Sequence, residues 1–426
     1  MSFYANQQRH ALDRKRANPV VLDRDINGGL LPTPLKTLNK PSPSPSSAAP
    51  IEVKDLVYVA SYNWVEAPKP TIIVPGSPSE WQSPITPFRV QPDTGISFVD
   101  QAGYRIPTMP LLPLFRAADI MTTENSDADI DWGTLDFVTD RNNLRKLLRC
   151  LNDFDGTAKD FRIDMQLAGK KTVLFNRWEK RFQENMSGKT FGFGFEAATT
   201  RKVRGCEASI GHHRIVKYHM DDLNLVVRFE VDACMPRPPQ SKVEATSKAP
   251  KPAPPSSNVD DLSDLLSGLN VSSTSASPTV APTTTGSSPS DVTIIRAGYE
   301  VAQSAIIELT TRSERNVDNI DWTENFPQLF LSQTAHHILG IHARGTFHRV
   351  ETRRLDSPDL QSVEGKCQRA FKRLKTMLKV IQDLVVEYGE RGRLSLVYQG
   401  GILKVYKRDS EASCLPDDVM ERFNAL

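Results

Sequence analysis

The stretch NLVVRFEVDAC, residues 224–234, decides the fold of this chain. It is rich in β-branched and aromatic residues, a composition typical of a strand. A second apolar run, SAIIELTTR, occupies residues 304–312 and predicts another strand. Both runs carry acidic residues after their apolar part, so the pair bears on the chemistry of the protein as well as on its fold.

The sequence around these two runs alternates strand and helix patterns. Leucines at helical spacing predict a helix over 142–152, and an apolar stripe beside a basic face predicts another over 363–388. RLSLVYQGGILKVYKR predicts a hairpin that turns on Gly400 and Gly401. Further strands are predicted at 53–65, 70–76, 159–167 and 170–179, and a helix followed by a strand at 326–345. This mixture predicts an α/β (α+β) fold.

Two segments are predicted to be disordered. Residues 235–292 contain ten of the 30 prolines and no aromatic residue, so they bury too little apolar surface to offset their ordering entropy. Residues 1–50 end in PSPSPSSAAP and are interpreted as a disordered arm. Loop closure cost grows slowly with length, so strands on both sides of 235–292 can still pair. We therefore predict a single domain, built from 51–234 and 293–426, with one long insertion.

Composition argues against several classes of protein. Lys plus Arg total 53 and Asp plus Glu total 51, so bulk charge does not drive nucleic-acid binding, although a local basic groove stays open. The five scattered cysteines form no CxxC, which argues against a disulfide scaffold or a zinc module. No secretory signal and no run of about 18 apolar residues is visible. We expect a nuclear or cytoplasmic protein, not a secreted or membrane one.

Carboxylates mark the ends of the two decisive strands. Glu230 and Asp232 are two residues apart, as are Glu308, Thr310 and Arg312, and side chains at that spacing lie on one face of a strand. Carboxylates that converge at strand ends repel one another unless a divalent cation lies between them. Magnesium with a phosphate as a further ligand is the usual solution. Solvated carboxylates without a cation are the alternative, and the two strands alone do not decide.

Two further segments strengthen the prediction of a phosphate site. GFGFE, residues 192–196, places Glu196 directly after a segment of alternating glycine and phenylalanine. Arg141 lies in DFVTDRNNLRKLL at the start of the predicted helix, where a guanidinium can bind a phosphate through two hydrogen bonds.

In this order, Arg141, GFGFE, EVD at 230–232 and ELT at 308–310 resemble the motifs of the DXO/Rai family of RNA 5′-end processing enzymes. With Φ for an apolar residue, those motifs are Arg, G-Φ-x-Φ-E, E-Φ-D and E-Φ-K. The resemblance runs from about residue 55 to 420. It implies a PD-(D/E)XK nuclease-like mixed sheet flanked by helices. It also implies a hydrolase that removes incomplete or unusual caps or degrades RNA from its 5′ end.

The resemblance also implies roles for individual residues. Glu196, Asp232 and Glu308 are the implied ligands of Mg²⁺ or Mn²⁺, and Glu230 is the implied holder of a metal-bound water. Arg141 is expected to contact the phosphates of an RNA 5′ end or of a nucleotide.

The sequence departs from the family at two catalytic positions. The lysine of E-Φ-K is Thr310 here, and Arg312 on the same face replaces it only in part, because arginine is a poor proton acceptor. The family's later glutamine falls near Ala335 or His336, with Gln333 close but out of register. A weakened 5′-end hydrolase and a catalytically degenerate RNA-binding or scaffold protein therefore both stay open.

Other motifs are weaker. DDLSD at 260–264 matches the aspartate-rich string of prenyl diphosphate synthases, but that chemistry needs a rigid helix, and this string lies in the predicted insertion. The leucines from Leu262 to Leu269 are compatible instead with a short amphipathic helix that binds a protein partner, or with an export-like signal. Each of the adjacent histidine pairs, at 212–213 and 336–337, points to two different faces. We interpret these four residues as ordinary surface or packing histidines rather than metal ligands.

Overall fold

The described part of the chain forms two large mixed β-sheets, with helices packed against them, and one two-stranded antiparallel sheet. The structure is a computed structural model that describes residues 23–42, 49–124, 130–153, 156–237 and 292–424. Its strands are β1 (Lys36–Leu38), β2 (Val53–Val65), β3 (Thr71–Gly76), β4 (Ser79–Trp81), β5 (Phe88–Arg89), β6 (Thr94–Phe98), β7 (Phe137–Asp140), β8 (Phe161–Ala168), β9 (Thr172–Trp178), β10 (Gln183–Ser187), β11 (Thr200–Arg201), β12 (Ser209–Met220), β13 (Leu223–Val231), β14 (Ala233–Cys234), β15 (Thr293–Gly298), β16 (Ile306–Ser313), β17 (His336–Ala343), β18 (Thr346–Arg354), β19 (Arg393–Gln399) and β20 (Ile402–Lys407). Its α-helices are α1 (Gln101–Arg105), α2 (Leu112–Glu124), α3 (Arg141–Asn152), α4 (Gly192–Thr199), α5 (Trp322–Ser332), α6 (Pro358–Tyr388) and α7 (Asp417–Met420).

Both sheets mix parallel and antiparallel strands. Among the described residues, the larger sheet has the order β1–β20–β19–β8–β9–β7–β13–β12–β2–β3–β15, and the smaller has the order β11–β4–β14–β16–β17–β18–β5. β13 runs parallel to β7 and antiparallel to β12. β16 runs parallel to β17 and antiparallel to β14. The predicted mixed α/β architecture is therefore confirmed.

Helices cover both faces of the larger sheet. On one face α3, α5 and α6 share a core that contains Leu144, Phe330 and Phe371, and the last two rings stack with centroids 4.2 Å apart. On the other face α2 and α7 pack with residues such as Phe115. The two covered faces explain why β13 is an almost unbroken apolar run. Helix α4 packs on the smaller sheet through the buried ring of Phe195.

One segment of chain crosses from the larger sheet to the smaller one. β13 ends at Val231, and after Asp232 the chain continues as β14, which pairs with β4 and β16. The sequence predicted that the two apolar runs could pair across the insertion; only the short β14 does so, while β13 pairs with β7 and β12. The seam between the sheets therefore brings the end of β13 close to β16.

Most local predictions agree with the structure to within a few residues. β2 covers the predicted 53–65, and the hairpin β19–β20 turns on Gly400 and Gly401, whose φ angles of 57° and 82° suit a tight turn. Helix α6 begins at Pro358, earlier than the predicted 363, because proline suits the first turn of a helix. β15 was not predicted; it pairs in parallel with β3 at the edge of the larger sheet.

The ordered chain begins before residue 51, which corrects the predicted disordered arm at 1–50. β1 pairs antiparallel with β20 and so extends the larger sheet. The Arg24 guanidinium lies 4.7 Å from the ring centroid of Trp178 and 4.6 Å from that of Phe182. These partners are distant in sequence, so the local composition of 23–42 does not reveal the contacts. Residues 1–22 lie outside the described residues.

The predicted insertion falls almost entirely outside the described residues, since 238–291 are not among them. Its disorder, the DDLSD string and the 262–269 partner segment therefore stay predictions. All five cysteines are buried free thiols, which confirms that they do not form a disulfide scaffold. No helix of the described ranges is long and apolar enough to span a membrane.

Candidate active site

The carboxylates singled out from the sequence lie at the seam between the two sheets. Glu230 is near the end of β13, Asp232 follows that strand, Glu308 lies on β16 and Glu196 lies on α4. Asp232 connects the two sheets directly, because its Oδ2 accepts a hydrogen bond of 2.7 Å from the backbone N–H of Leu309. Residues from β13, from the link that follows it, from β16 and from α4 therefore converge at one place.

These carboxylates are close enough to shift one another's protonation. Burial first, and then the neighbouring charges of Glu308 and Glu196, raise the pKa of Asp232 well above its ordinary value. Burial, followed by Glu230 and Glu308, raises the pKa of Glu196 to about 7. Such mutual repulsion is the electrostatic condition that a cation would relieve.

Glu230 is the carboxylate of this group that is open to solvent. The protein around it still desolvates its charge and raises its pKa, while the nearby cations Arg177 and Arg141 act in the opposite direction. Glu230 pairs in register with His213 across β13 and β12. A solvent-open carboxylate beside buried ones is well placed to meet a water or a ligand.

Glu308 is held through both of its carboxylate oxygens. Arg141, buried at the start of α3, donates from Nη1 to Oε2 of Glu308 at 3.2 Å. Gln328 of α5 donates from Nε2 to Oε1 of the same carboxylate. Arg141 also donates to Oγ of Ser332 at 3.1 Å. The guanidinium predicted to clamp a phosphate is therefore paired with a carboxylate of the site.

Gln328 corrects the position expected for the glutamine. Ala335 and His336 lie at the start of β17, and Gln333 ends α5 in a left-handed conformation with a φ of 49°. Gln328 and Ser332 are four residues apart on α5, so both face the site. That helical spacing was the signal that would have found them.

The side chain of Thr310 is hydrogen-bonded to a histidine. Its Oγ1 lies 2.8 Å from Nε2 of His337 on the neighbouring strand. Burial, then Arg353 and Arg312, lower the pKa of His337 to about 4, so its ring is neutral at pH 7. Arg312 donates from Nη1 to the carbonyl of Thr311 at 2.9 Å. The charge of the family's lysine is thus absent at Thr310 itself.

His212, His336 and His337 are buried and His213 is half-buried, which agrees with the interpretation of the two pairs as packing histidines. His212 is buried with Nδ1 2.8 Å from Oδ1 of Asn63, and His213 stacks on Tyr62 with centroids 5.2 Å apart. His336 lies 2.9 Å from the carbonyl of Ser304. His337 also contacts the site, because its ring is hydrogen-bonded to Thr310.

A buried ion pair fixes the framework behind the carboxylates. Arg228 donates from Nε and Nη2 to the two oxygens of Asp140 at 2.6 and 2.9 Å, and from Nη1 to the carbonyl of Pro110 at 2.8 Å. Arg228 lies two residues before Glu230, and Asp140 immediately precedes Arg141. The pair therefore holds β13 and the start of α3 in register.

Helix α4 is anchored from a distant loop. Asp93 accepts hydrogen bonds from the backbone N–H groups of Phe193 and Gly194 at 3.3 and 2.9 Å. Phe195 is buried in the core of the smaller sheet, whereas the ring of Phe193 is exposed, one helical turn before Glu196. Asp93 thus determines where Glu196 stands.

The donor chemistry of this site suits a hard divalent cation. Oxygen ligands from Asp and Glu are those that Mg²⁺ and Mn²⁺ prefer, and burial together with the neighbouring carboxylates raises the pKa values of Asp232 and Glu196. Within the described ranges, no three His, Cys, Asp or Glu side chains are placed to hold a metal ion as they stand. Glu308 is bonded to Arg141 and Gln328 instead.

Solved structures with a similar fold include three Rai1 proteins. Candida albicans Rai1 in complex with pU5-Mn²⁺ has a TM-score of 0.54 at 14% identity, covering 91% of this chain and 98% of that one. Scheffersomyces stipitis Rai1 in complex with (3′-NADP)⁺ and calcium has a TM-score of 0.53 at 11% identity, covering 92% and 96%. S. pombe Rai1 has a TM-score of 0.52 at 13% identity, covering 85% and 96%. The chain therefore has the Rai1 fold, which confirms the predicted PD-(D/E)XK-like mixed sheet flanked by helices.

A family model described as "Domain of unknown function (DUF8563)" matches residues 35–424. The chain belongs to this family. The match begins near β1, in agreement with the ordered chain found before residue 51. A search of curated proteins found no significant match.

Proposed function

We propose that this protein binds the 5′ end of RNA at the seam between its sheets and hydrolyses it there with Mg²⁺ or Mn²⁺. The observation that carries the proposal is the crowding of Glu196, Glu230, Asp232 and Glu308 beside Arg141. Candida albicans Rai1 supports it, because that protein shares the fold and is bound to pU5 and Mn²⁺. We also propose a nuclear or cytoplasmic location, which suits the five free thiols.

The proposed roles follow from the position of each group. Glu196, Asp232 and Glu308 would hold the cation, which when bound polarises a phosphoryl oxygen and acidifies a water. Glu230, open to solvent, accepts a hydrogen bond from the attacking water and takes its proton. The phosphorus gains the water oxygen and loses its bond to the leaving oxygen. Arg141 binds a phosphate oxygen in exchange for its bond to Glu308.

A second candidate function is RNA binding without cleavage. It is favoured by the hydrogen bond between Thr310 and the neutral ring of His337, which puts an uncharged pair where the family has a lysine. Arg312 donates to the carbonyl of Thr311 rather than to a carboxylate. In this case the same seam would hold an RNA end with no reaction.

The decisive experiment incubates purified protein with 5′-triphosphate, NAD-capped and 5′-monophosphate RNA, in Mg²⁺ or in Mn²⁺, and analyses the products. A 5′-end product that disappears in Asp232→Asn supports the hydrolase. Asp409→Asn is a matched control, because Asp409 is exposed and distant in sequence from the motifs. RNA binding without any product moves the proposal to the second function, and the absence of both contradicts it.

Metal binding has a separate readout in the melting temperature. Mn²⁺ or Mg²⁺ should raise the Tm of the wild type by mass action, and Asp232→Asn should abolish the rise. Asp409→Asn should behave as the wild type. A Tm that does not respond to either metal rules out the proposed cation.

A further inference from the structure

A cleft of about 650 Å³ runs along one side of helix α3, next to the candidate active site. Its basic lining residues are Arg145, Lys146, Arg149, Lys159 and Arg177. The cleft adjoins the carboxylate site through α3, because its lining residues Asn142 and Arg145 directly follow Arg141 in sequence and by one helical turn, and Arg141 binds Glu308. Arg177, another lining residue, opposes the burial that raises the pKa of Glu230.

Helix α3 carries a ridge of three arginines that points along this cleft. Arg141, Arg145 and Arg149 are spaced four residues apart, so they lie on one side of the helix in steps of about 6 Å. Like charges at this spacing destabilise a helix. A polyanion bound along the helix would place negative charges beside these arginines and so offset their mutual repulsion.

The middle arginine of the ridge is the one without a partner. Arg141 pairs with Glu308, and Arg149 pairs with Glu324 at 3.3 Å near the surface. Arg145 makes no hydrogen bond or ion pair with the described residues, although it is half-buried. Burial, then Arg141 and Arg149, lower its pKa to about 10, so it stays positive at neutral pH.

The acidic lining residues of the cleft are bonded to groups other than Arg145, and Glu324 pairs with Arg149. Glu179 accepts hydrogen bonds from Lys146 and Arg177 at 2.9 and 2.7 Å. Asp153 accepts a hydrogen bond from the hydroxyl of Tyr398 and one from the backbone of Thr157.

Asp160, Lys159 and Asn142 also line the cleft. Asp160 accepts a hydrogen bond from the backbone of Gly400 at 3.2 Å. Lys159, beside it, is exposed and makes no ion pair with the described residues. Oδ1 of Asn142 is buried without a hydrogen-bond partner in the described part of the chain. The cleft thus offers two cations, Arg145 and Lys159, that make no ion pair with the described residues.

We infer that this cleft binds the sugar-phosphate backbone of single-stranded RNA beyond the 5′-terminal nucleotide, with Arg145 as the phosphate contact that follows Arg141. The inference rests on the proposed function of the seam and extends it from the RNA end to the RNA body. Sequence-independent contacts of this kind supply most of the affinity of nucleic-acid binding and make it depend on salt. Single-stranded RNA fits better than a duplex, because the arginines lie in one narrow row beside a buried site.

The test compares wild type, Arg145→Gln and Arg145→Lys for binding of 5′-phosphorylated oligouridylates of two and eight nucleotides, in EDTA so that the RNA stays intact. We expect Arg145→Gln to lose about tenfold in affinity for the eight-mer and little for the two-mer. Its log–log salt slope should fall by about 0.7, the contribution of one phosphate in single strands. Arg145→Lys should keep the slope. Arg369→Gln is the matched control, an exposed helical arginine of α6 outside the cleft.

Each outcome has a distinct meaning. Equal losses for both lengths would place Arg145 in the end-binding site and overturn the inference while leaving the proposed function intact. Unchanged affinity at both lengths would also overturn it. Wild-type protein that binds neither oligonucleotide contradicts the proposed function itself. The Tm of Arg145→Gln should not fall, because the residue has no described partner to lose and its removal relieves like-charge repulsion.

Discussion

At the scale of single residues, two side chains decide the chemistry of the site: Thr310, which carries no charge, and Gln328, which the fold brings to Glu308. Thr310 and His337 form an uncharged pair where the family has a lysine. Gln328, in contrast, reaches Glu308, so the second departure inferred from the sequence is not a loss of the amide. The structure therefore places an amide beside Glu308, whereas the position of Thr310 carries no charge.

Restoring the charge at that position should raise hydrolysis. We expect Thr310→Lys to increase the rate on 5′-end-modified RNA by about 10²-fold, since a group that positions or deprotonates the attacking water contributes about 10²–10⁴-fold. Thr310→Met is the control, because it removes the bond to His337 and adds length without charge. A rate that is undetectable in wild type and Thr310→Lys alike, with salt-sensitive RNA binding in both, favours the binding function.

At the scale of elements, short helices are held by carboxylates that cap them, and these caps decide where functional groups stand. Helix α4 has eight residues and receives Asp93 from a loop about 100 residues earlier. Asp100 directly precedes helix α1, and its Oδ1 accepts a hydrogen bond of 2.9 Å from the backbone N–H of Gly103. The two caps differ in their consequences for stability and for the site.

Removing the Asp93 carboxylate that caps α4 should make the position of Glu196 less well defined. We expect Asp93→Ala to lower the free energy of unfolding by about 1 kcal/mol, the usual value of such a cap, and to weaken Mn²⁺ binding. Asp93→Asn keeps one acceptor oxygen, so we expect it to lose less stability and less affinity for Mn²⁺ than Asp93→Ala. Tm measured with and without Mn²⁺ checks this expectation. If Asp93→Ala binds Mn²⁺ as tightly as wild type, Glu196 is not positioned by this cap.

The cap of α1 gives a pH-dependent prediction. Asp100 is buried, its Oδ2 has no partner in the described part of the chain, and burial raises its pKa despite the opposing charge of Arg177. A raised carboxyl pKa means that the folded state holds the proton more tightly than the unfolded state. The carboxylate therefore costs stability as the pH rises from about 4 through the raised pKa.

Asp100→Asn keeps a good capping residue and removes that charge. We expect its Tm to exceed that of wild type at pH 8, by about 2–4 °C per kcal/mol gained, and the difference to shrink toward pH 4. Asp131→Asn is the control, because Asp131 caps a short helical turn in the same way but is exposed. A Tm difference that is the same at both pH values would show that the charge of Asp100 is not responsible.

At the scale of the whole molecule, the sheets are closed by segments from both sides of the insertion. β14 ends at Cys234 and β15 begins at Thr293, and the two strands lie in different sheets. The backbone N–H of Met235 donates to the carbonyl of Ala305 at 2.8 Å. The described chain on either side of the insertion is therefore fixed by its own contacts.

Deleting 240–290 should leave the fold intact. The segment has no aromatic residue and little apolar surface to bury, so we expect the Tm of a variant with a short Gly/Ser linker to stay within about 2 °C of wild type. RNA binding at the seam should also persist. A large drop in Tm would show that the segment packs on the domain and that our domain boundaries are wrong.

The sequence alone determined the local elements and the chemistry offered at their ends. The strand at 53–65, the hairpin at Gly400 and Gly401, and the carboxylates after two apolar runs follow from patterns within a few residues. The motifs in order also implied the fold. These features depend on neighbours in the chain, which is why they could be predicted.

Only the tertiary structure decided which of these groups meet. Arg141 and Glu308 are 167 residues apart, and their contact depends on the order of strands around the seam. The contact between Gln328 and Glu308 depends on how α5 packs against the sheets. The pairing of β1 with β20 depends on a sheet edge that exists only once the sheet is assembled. Strand order and helix placement are set by the burial of the whole apolar surface, a quantity that no local segment contains.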